Sequence, residues 1–146
     1  MRQRKPAKQV ITGEATRAQI ILPYPPSVNH YWVHTGRGVR VSDAGKSFRL
    51  AVSMTVNAMR RDGLAPPHAI GGRLAVEVFV YPPDNRQRDL DNVLKATLDA
   101  LGSSDGACRV YGDDAQIDRL VVTRCAVASP GRLVVLIERL TAMGFW

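Results

Sequence analysis

The sequence has little of what marks secreted, disulfide-bonded or membrane-spanning proteins. Its 146 residues include two cysteines, Cys108 and Cys125, which form neither a disulfide framework nor a metal-ligand spacing. No apolar run approaches the roughly 18–20 residues that cross a membrane. The basic N-terminus lacks the apolar core of a signal peptide. We therefore expect a cytoplasmic protein with reduced thiols and no contact with a membrane.

Negative charge is also scarce relative to positive charge. The net charge is +7 and the sequence pI is near 10.0. Residues 1–17 contribute +4 of this charge, and we predict that they form a flexible basic arm ahead of one folded domain at 18–146. A basic chain indicates a polyanionic partner such as nucleic acid. A solvated arm without a specific role is the alternative for the arm itself.

Hydrophobic periodicity predicts a single small domain of the α/β (α+β) class, in the order β-α-β-α-β-β. About four strands should form a mixed sheet with two main helices packed on it. The first helix should begin after Ser42, a good N-cap, and end near Gly63. The predicted strands lie at 18–22, 73–81, 116–127 and 132–140, and a hairpin turn at 129–131 should join the last two.

The segment 27–40 mixes aromatic, basic and glycine residues, and its pattern predicts a loop. Tyr31, Trp32, Arg37 and Arg40 suit contacts to unstacked bases and phosphates. The alternative is that both aromatic rings pack into the core or a dimer interface. Lys46 and Arg49, near the start of the first long helix, are placed to contact a phosphate, although helix surfaces commonly carry such residues for solubility.

Acidic and basic side chains concentrate between residues 86 and 101. An amphipathic helix is predicted from Leu90, with Asp89 at its N-cap and Asp91 one turn before Lys95. Asp89 capping the helix and Asp91 pairing with Lys95 would be a purely structural arrangement. The functional alternative is a Mg²⁺ site, because Mg²⁺ prefers carboxylate oxygens and keeps several waters. A third carboxylate should come from the segment 111–116, which carries two adjacent aspartates.

Together these motifs resemble the RusA family of Holliday-junction resolvases, over roughly residues 19 to 140. The resemblance is carried by Arg88-Asp-Leu-Asp-Asn-x-x-Lys95, Asp99-Ala-Leu101, Asp113-Asp-Ala-Gln116, Leu22-Pro-Tyr-Pro-Pro-Ser27, Asn29 and Val41-Ser42. The connection 102–110 is longer than usual in that family, and Gly112 replaces a bulky apolar residue.

The resemblance implies a homodimer that cuts four-way DNA junctions symmetrically with Mg²⁺, for which Mn²⁺ is a possible substitute, and without an organic cofactor. It places the metal ligands at Asp89, Asp91 and Asp114 and the functional lysine at Lys95. Arg86 and Arg88 should contact the DNA backbone beside the cut. Two alternatives stay open: a catalytically silent module that binds branched DNA, and a metal-dependent nuclease of looser specificity.

Overall fold

The computed structural model describes residues 16–102 and 108–141, and it confirms the predicted α+β class. The basic arm up to residue 15 and most of the long connection before Cys108 lie outside the described residues. Four strands form a mixed sheet in the order β1 (Arg17–Pro23), β6 (Arg132–Arg139), β4 (Leu74–Tyr81) and β5 (Ile117–Arg124). β6 is antiparallel to both of its neighbours, and β5 is parallel to β4.

The predicted hairpin between the last two strands is wrong, because β4 lies between β5 and β6. The connection crosses the end of β4, where Cys125 N donates to Val80 O at 2.8 Å and Ala128 N donates to Pro82 O at 2.9 Å. β6 alternates buried apolar residues and has a partner on each side, whereas β5 is exposed at most positions. The more apolar strand, β6, therefore lies inside the sheet. The turn predicted at 129–131 ends the connection that crosses β4, and it does not close a hairpin.

One face of the sheet forms the core. The strands alternate, so that Ile20, Val78 and Val135 lie side by side on the buried face. The helices α2 (Asp43–Arg61) and α3 (Leu94–Gly102) pack against each other, and α2 packs on β1. The opposite face bears partly exposed apolar residues, including Ile21 and Val121. None of the described helices is long and apolar enough to cross a membrane.

The segment predicted as a loop at 27–40 instead contains a helical turn, α1 (Val28–Tyr31), and a two-stranded hairpin of β2 (Trp32–Thr35) and β3 (Gly38–Val41). Tyr31 is fully buried (0 % exposed), so its predicted contact with unstacked bases is wrong. The half-buried Trp32 packs edge-on against the Tyr31 ring, with centroids 5.0 Å apart. The alternative, in which both rings pack into the core, is the one that the structure supports.

The ends of α2 follow the signals in the sequence. Ser42 Oγ accepts a hydrogen bond from Gly45 N at 3.0 Å, which satisfies one of the free N–H groups of the first turn. At the other end Gly63 has φ +71°, and Gly63 N and Leu64 N donate to Arg60 O and Met59 O. This is a Schellman motif, which requires a left-handed residue after the helix. Both predicted caps of α2 are confirmed.

Candidate functional site

The chain reaches the predicted acidic site through a loop that is organised by Asp84. Its carboxylate accepts from Arg86 N at 2.9 Å and from Arg88 Nη1 at 2.7 Å. The hydrogen bond from Arg88 is the main reason why the pKa of Asp84 falls to about 2. The Arg88 guanidinium also lies 5.9 Å from the centre of the Tyr24 ring. Arg88 therefore stabilises the loop that delivers Asp89 to the surface.

Asp89 and Asp91 flank the start of a 3₁₀ turn, Leu90–Val93, that leads into α3. Asp89 occupies the N-cap position with extended backbone but makes no side-chain cap hydrogen bond. Lys95 Nζ pairs with Asp99 at 3.1 Å. Because a 3₁₀ turn has three residues per turn, it rotates Asp91 away from the position that it would have in an α-helix. In the described part of the chain, neither the predicted structural cap nor the Asp91–Lys95 pair forms.

The adjacent aspartates Asp113 and Asp114 have different roles. Asp113 is the N-cap of a 3₁₀ turn, Asp114–Gln116, and its carboxylate accepts from Ala115 N at 2.7 Å. Gln116 completes a capping box, because its side chain accepts a hydrogen bond from the backbone N–H of Asp113. Its Oε1 accepts from Gly112 N and Asp113 N, and its Nε2 donates to two carbonyls, those of Ile70 and Gly72. Because the Asp113 carboxylate caps the 3₁₀ turn, Asp114 is the better placed of the two aspartates to bind a metal ion.

Tyr111 is fully buried and immediately precedes the loop that bears these aspartates. Its hydroxyl donates to Leu98 O in α3 at 2.9 Å. Burial raises the pKa of this hydroxyl far above its usual range, and the Asp114 carboxylate, the next largest cause, raises it further. Asp99 and Asp113 act in the same direction. Tyr111 thus connects the loop that bears Asp114 to the helix that bears Lys95.

Two of the three predicted metal ligands, Asp89 and Asp114, line separate concave surfaces. Asp89 lines one with Arg86 and Arg88. Asp114 lines the other, together with Arg49, Asp99, Gly102, Arg109, Gly112 and Asp113. Within the described ranges, no group of three His, Cys, Asp or Glu side chains lies close enough to hold a metal ion. The structure therefore does not bring Asp89, Asp91 and Asp114 together as one three-carboxylate cluster.

The donor chemistry nevertheless fits Mg²⁺. Neither Asp89 nor Asp91 forms an ion pair with another described residue, so their oxygens are available. Mg²⁺ is usually bound through one or two carboxylates, with waters and substrate phosphates completing its shell. Asp89 and Asp91 meet that requirement at the surface of the loop-to-helix junction, and Asp114 remains the predicted third ligand.

The predicted DNA-contacting residues differ in exposure. Arg37 and Arg40, in the β2–β3 hairpin, are exposed, as is Lys46 in the first turn of α2. The side chain of Arg86 is 83 % exposed. That of Arg88 is 25 % exposed and paired with Asp84. Four of these five cations are thus open to solvent, and Arg88 is engaged within its own loop.

Comparison with known proteins decides the family. A family model described as endodeoxyribonuclease RusA matches residues 23–138. The chain belongs to the RusA family. It is 36 % identical over 125 residues to the crossover junction endodeoxyribonuclease of Enterobacteria phage HK97, covering 86 % of this chain and 97 % of the relative. The protein of the same name in Escherichia coli K12 is 36 % identical over 122 residues, covering 83 % and 93 %.

Membership of the RusA family confirms the resemblance seen in the motifs, and with it the enzyme class, endodeoxyribonuclease. The structure adds a role for Gln116 and a location for Arg49, a predicted phosphate contact. Gln116 fixes the loop that bears Asp114, and Arg49 lines the same concave surface. The Asp113-x-x-Gln116 capping-box pattern was visible in the sequence and could have assigned Asp113 to the cap.

Proposed function

We propose that this RusA-family protein is a Mg²⁺-dependent, structure-specific endodeoxyribonuclease. It resolves four-way (Holliday) DNA junctions by paired symmetric hydrolysis of phosphodiesters, in DNA recombination and repair. The observation that carries the proposal is the extent of the family match, because residues 23–138 contain every predicted site residue. The curated relatives are named crossover junction endodeoxyribonucleases. Four-way junctions are therefore the proposed substrate.

Asp89, Asp91 and Asp114 are the proposed Mg²⁺ ligands, and Mn²⁺ is an expected substitute. The bound ion would act as a Lewis acid and lower the pKa of a coordinated water. Asp89 and Asp91, at the start of α3, form no ion pair with the residues that the structure describes, and Asp113 rather than Asp114 supplies the cap of the second turn. Gln116 fixes the backbone around Asp114, the kind of support that keeps a ligand oriented.

Lys95 is the proposed group that stabilises negative charge developing on the attacked phosphate. Its ammonium is held by Asp99 at 3.1 Å, and its side chain remains 53 % exposed. Asp99 therefore limits the rotamers of Lys95 without burying its charge. That arrangement leaves the ammonium accessible to a phosphate bound beside α3.

The DNA backbone is proposed to contact the exposed cations on either side of the acidic residues. Arg37 and Arg40 project from the β2–β3 hairpin, and Lys46 lies at the start of α2. Arg86 is exposed in the loop that precedes Asp89. Such contacts position a protein on DNA and make its affinity depend on salt.

A homodimer is the proposed active form, because two symmetric cuts require two sites related by a two-fold axis. The strand β5 supports this proposal, since among the described strands it pairs with β4 alone, and it exposes Leu120 (39 %) and Val121 (40 %). Exposed apolar edge strands are prone to pair with another chain. The proposed location is the cytoplasm of bacteria, where cellular and phage DNA recombine, and relatives occur in both bacteria and phages.

The site assignment is tested with a labelled four-way junction and three aspartate-to-asparagine variants. Asp91→Asn and Asp114→Asn should lower the cleavage rate in Mg²⁺ by more than about 100-fold, because each loses an ionised ligand. Asp113→Asn is the matched control. Asparagine caps a helix as well as aspartate does, so this variant should cut at close to the wild-type rate. Folded Asp91→Asn or Asp114→Asn protein that cuts at the wild-type rate would refute the site assignment.

A further inference from the structure

Arg49, in the second turn of α2, has an unusually fixed guanidinium. Its Nε donates to the hydroxyl of Tyr31 at 2.7 Å, and its Cζ lies 5.7 Å from the centre of the Tyr31 ring. Tyr31 is fully buried. The first turn of α2 closes over that ring at Gly45, where an added Cβ would lie 3.0 Å from Tyr31 Cδ2. The Tyr31 hydroxyl is therefore a stationary acceptor that sets the direction of the guanidinium.

The charge of Arg49 is not neutralised by any described carboxylate. Arg49 forms no ion pair with the residues that the structure describes, and its Nη atoms donate to none of them. Asp99, which lines the same concave surface, is already paired with Lys95. A half-buried guanidinium with one fixed N–H and a free terminal fork is suited to an external anion.

The position of Arg49 indicates which anion it would bind. The concave surface that it lines also contains Asp113, Asp114 and Arg109, and it is open to solvent. A free carboxylate ligand would be repelled by these aspartates unless it brought a cation with it. A phosphodiester beside a metal ion at Asp114 would have that compensation, and arginine binds phosphate oxygens through two parallel N–H bonds.

We propose that Arg49 binds a backbone phosphate of the DNA substrate, and that Tyr31 positions its guanidinium for that contact. The inference rests on the proposed function, since the ligand is the DNA to be cut. It places the phosphate contact predicted for Arg49 on the Asp114 side of the site, and it gives Tyr31 a positioning role. Arg49 touches the substrate in this account, whereas Tyr31 acts only through Arg49.

The test measures the affinity of the full-length protein for a four-way junction over a range of salt concentrations, with Ca²⁺ in place of Mg²⁺ so that the carboxylates have a divalent cation to bind. Each phosphate contact to duplex DNA contributes about 0.9 to the slope of log K against log salt. Arg49→Gln should weaken binding by roughly 10-fold or more, because it removes a charged hydrogen bond, and should reduce the slope by about 0.9. Arg61→Gln, at the exposed far end of the same helix, is the matched control and should change neither quantity.

Tyr31→Phe keeps the buried ring and removes only the acceptor. It should weaken junction binding by less than Arg49→Gln does. The loss of affinity caused by Arg49→Gln should also be smaller in the Tyr31→Phe protein than in the wild-type protein. An unchanged affinity and slope in folded Arg49→Gln would overturn the proposal, and an unchanged affinity in Tyr31→Phe would overturn the positioning role. If Arg49→Gln reduces the salt slope but the wild-type protein cuts no junction in Mg²⁺, only the proposed function would be refuted.

Discussion

Replacing Gln116 with alanine tests how the fold fixes the loop that bears Asp114. The Gln116 side chain makes four hydrogen bonds, to Gly112 N, Asp113 N, Ile70 O and Gly72 O, at 2.8, 2.9, 3.1 and 2.9 Å. Alanine removes all four. Two other hydrogen bonds from the chain ahead of β4, Ile70 N to Val110 O and Arg73 Nη2 to Ala115 O, remain, as does the Asp113 cap on Ala115 N.

The expected cost follows from those four bonds. A hydrogen bond contributes about 0.5–1.5 kcal/mol net, and Gly112 and Asp113 are exposed, so water replaces part of what their N–H groups lose. We expect the free energy of unfolding to fall by about 2–3 kcal/mol. For a domain of this size, that corresponds to a decrease in Tm of roughly 5–10 °C. Junction cleavage should fall by about 10-fold to 100-fold, as for other residues that orient a metal ligand.

The measurements are thermal and urea unfolding, together with cleavage of a junction in Mg²⁺. Gln19→Ala is the matched control, because Gln19 is exposed on β1 and should change stability by less than about 0.5 kcal/mol. If Gln116→Ala unfolded at the same midpoint as Gln19→Ala and cut at the wild-type rate, the four bonds would not fix the site. The reasoning from the capping box would then be refuted.

Two further predictions concern titration and thiol reactivity. The Asp84 carboxyl should titrate with a pKa of about 2, below its ordinary 3.8, so its ion pair stabilises the fold fully above the ordinary value and is lost as the pH falls through about 2. In an NMR titration, Arg88→Gln should move that pKa back towards 3.8, and a pKa unaffected by the change would contradict the pairing. A thiol reagent should modify the half-exposed Cys125 in the native protein. It should modify the buried Cys108, whose pKa is raised by burial, only on unfolding; equal rates for the two thiols would be inconsistent with the structure.

Much of the fold could be predicted because its signals are local. Ser42 and Gly63 mark the ends of α2, and the alternation over 73–81 marks β4. Pairing of the strands is not local, since β5 and β6 follow each other in the chain but each pairs with β4. The better signal was the order strand, helix, strand over β4, α3 and β5. Parallel strands need a crossover connection of this kind, and α3 supplies it.

The residues named for the candidate site stay a prediction, and the contacts that they make in the structure differ from those that the sequence predicted. The pair Asp91–Lys95 obeys the α-helical spacing, yet the helix starts as a 3₁₀ turn and Lys95 pairs with Asp99. The burial of Tyr31 depends on α2 closing over its ring, which no local pattern in the segment 27–40 reports. The partner of Lys95 and the burial of Tyr31 therefore depend on how the folded chain packs, which the local sequence pattern does not report.

The most direct test of the account compares cleavage of a four-way junction, a matched linear duplex and a flap by the wild-type protein, each in Mg²⁺ and in EDTA. We predict paired symmetric nicks in the junction alone, and only with Mg²⁺. Binding of the junction without cleavage in Mg²⁺ or Mn²⁺ would indicate a silent branched-DNA module. Equal cleavage of duplex or flap would contradict junction specificity.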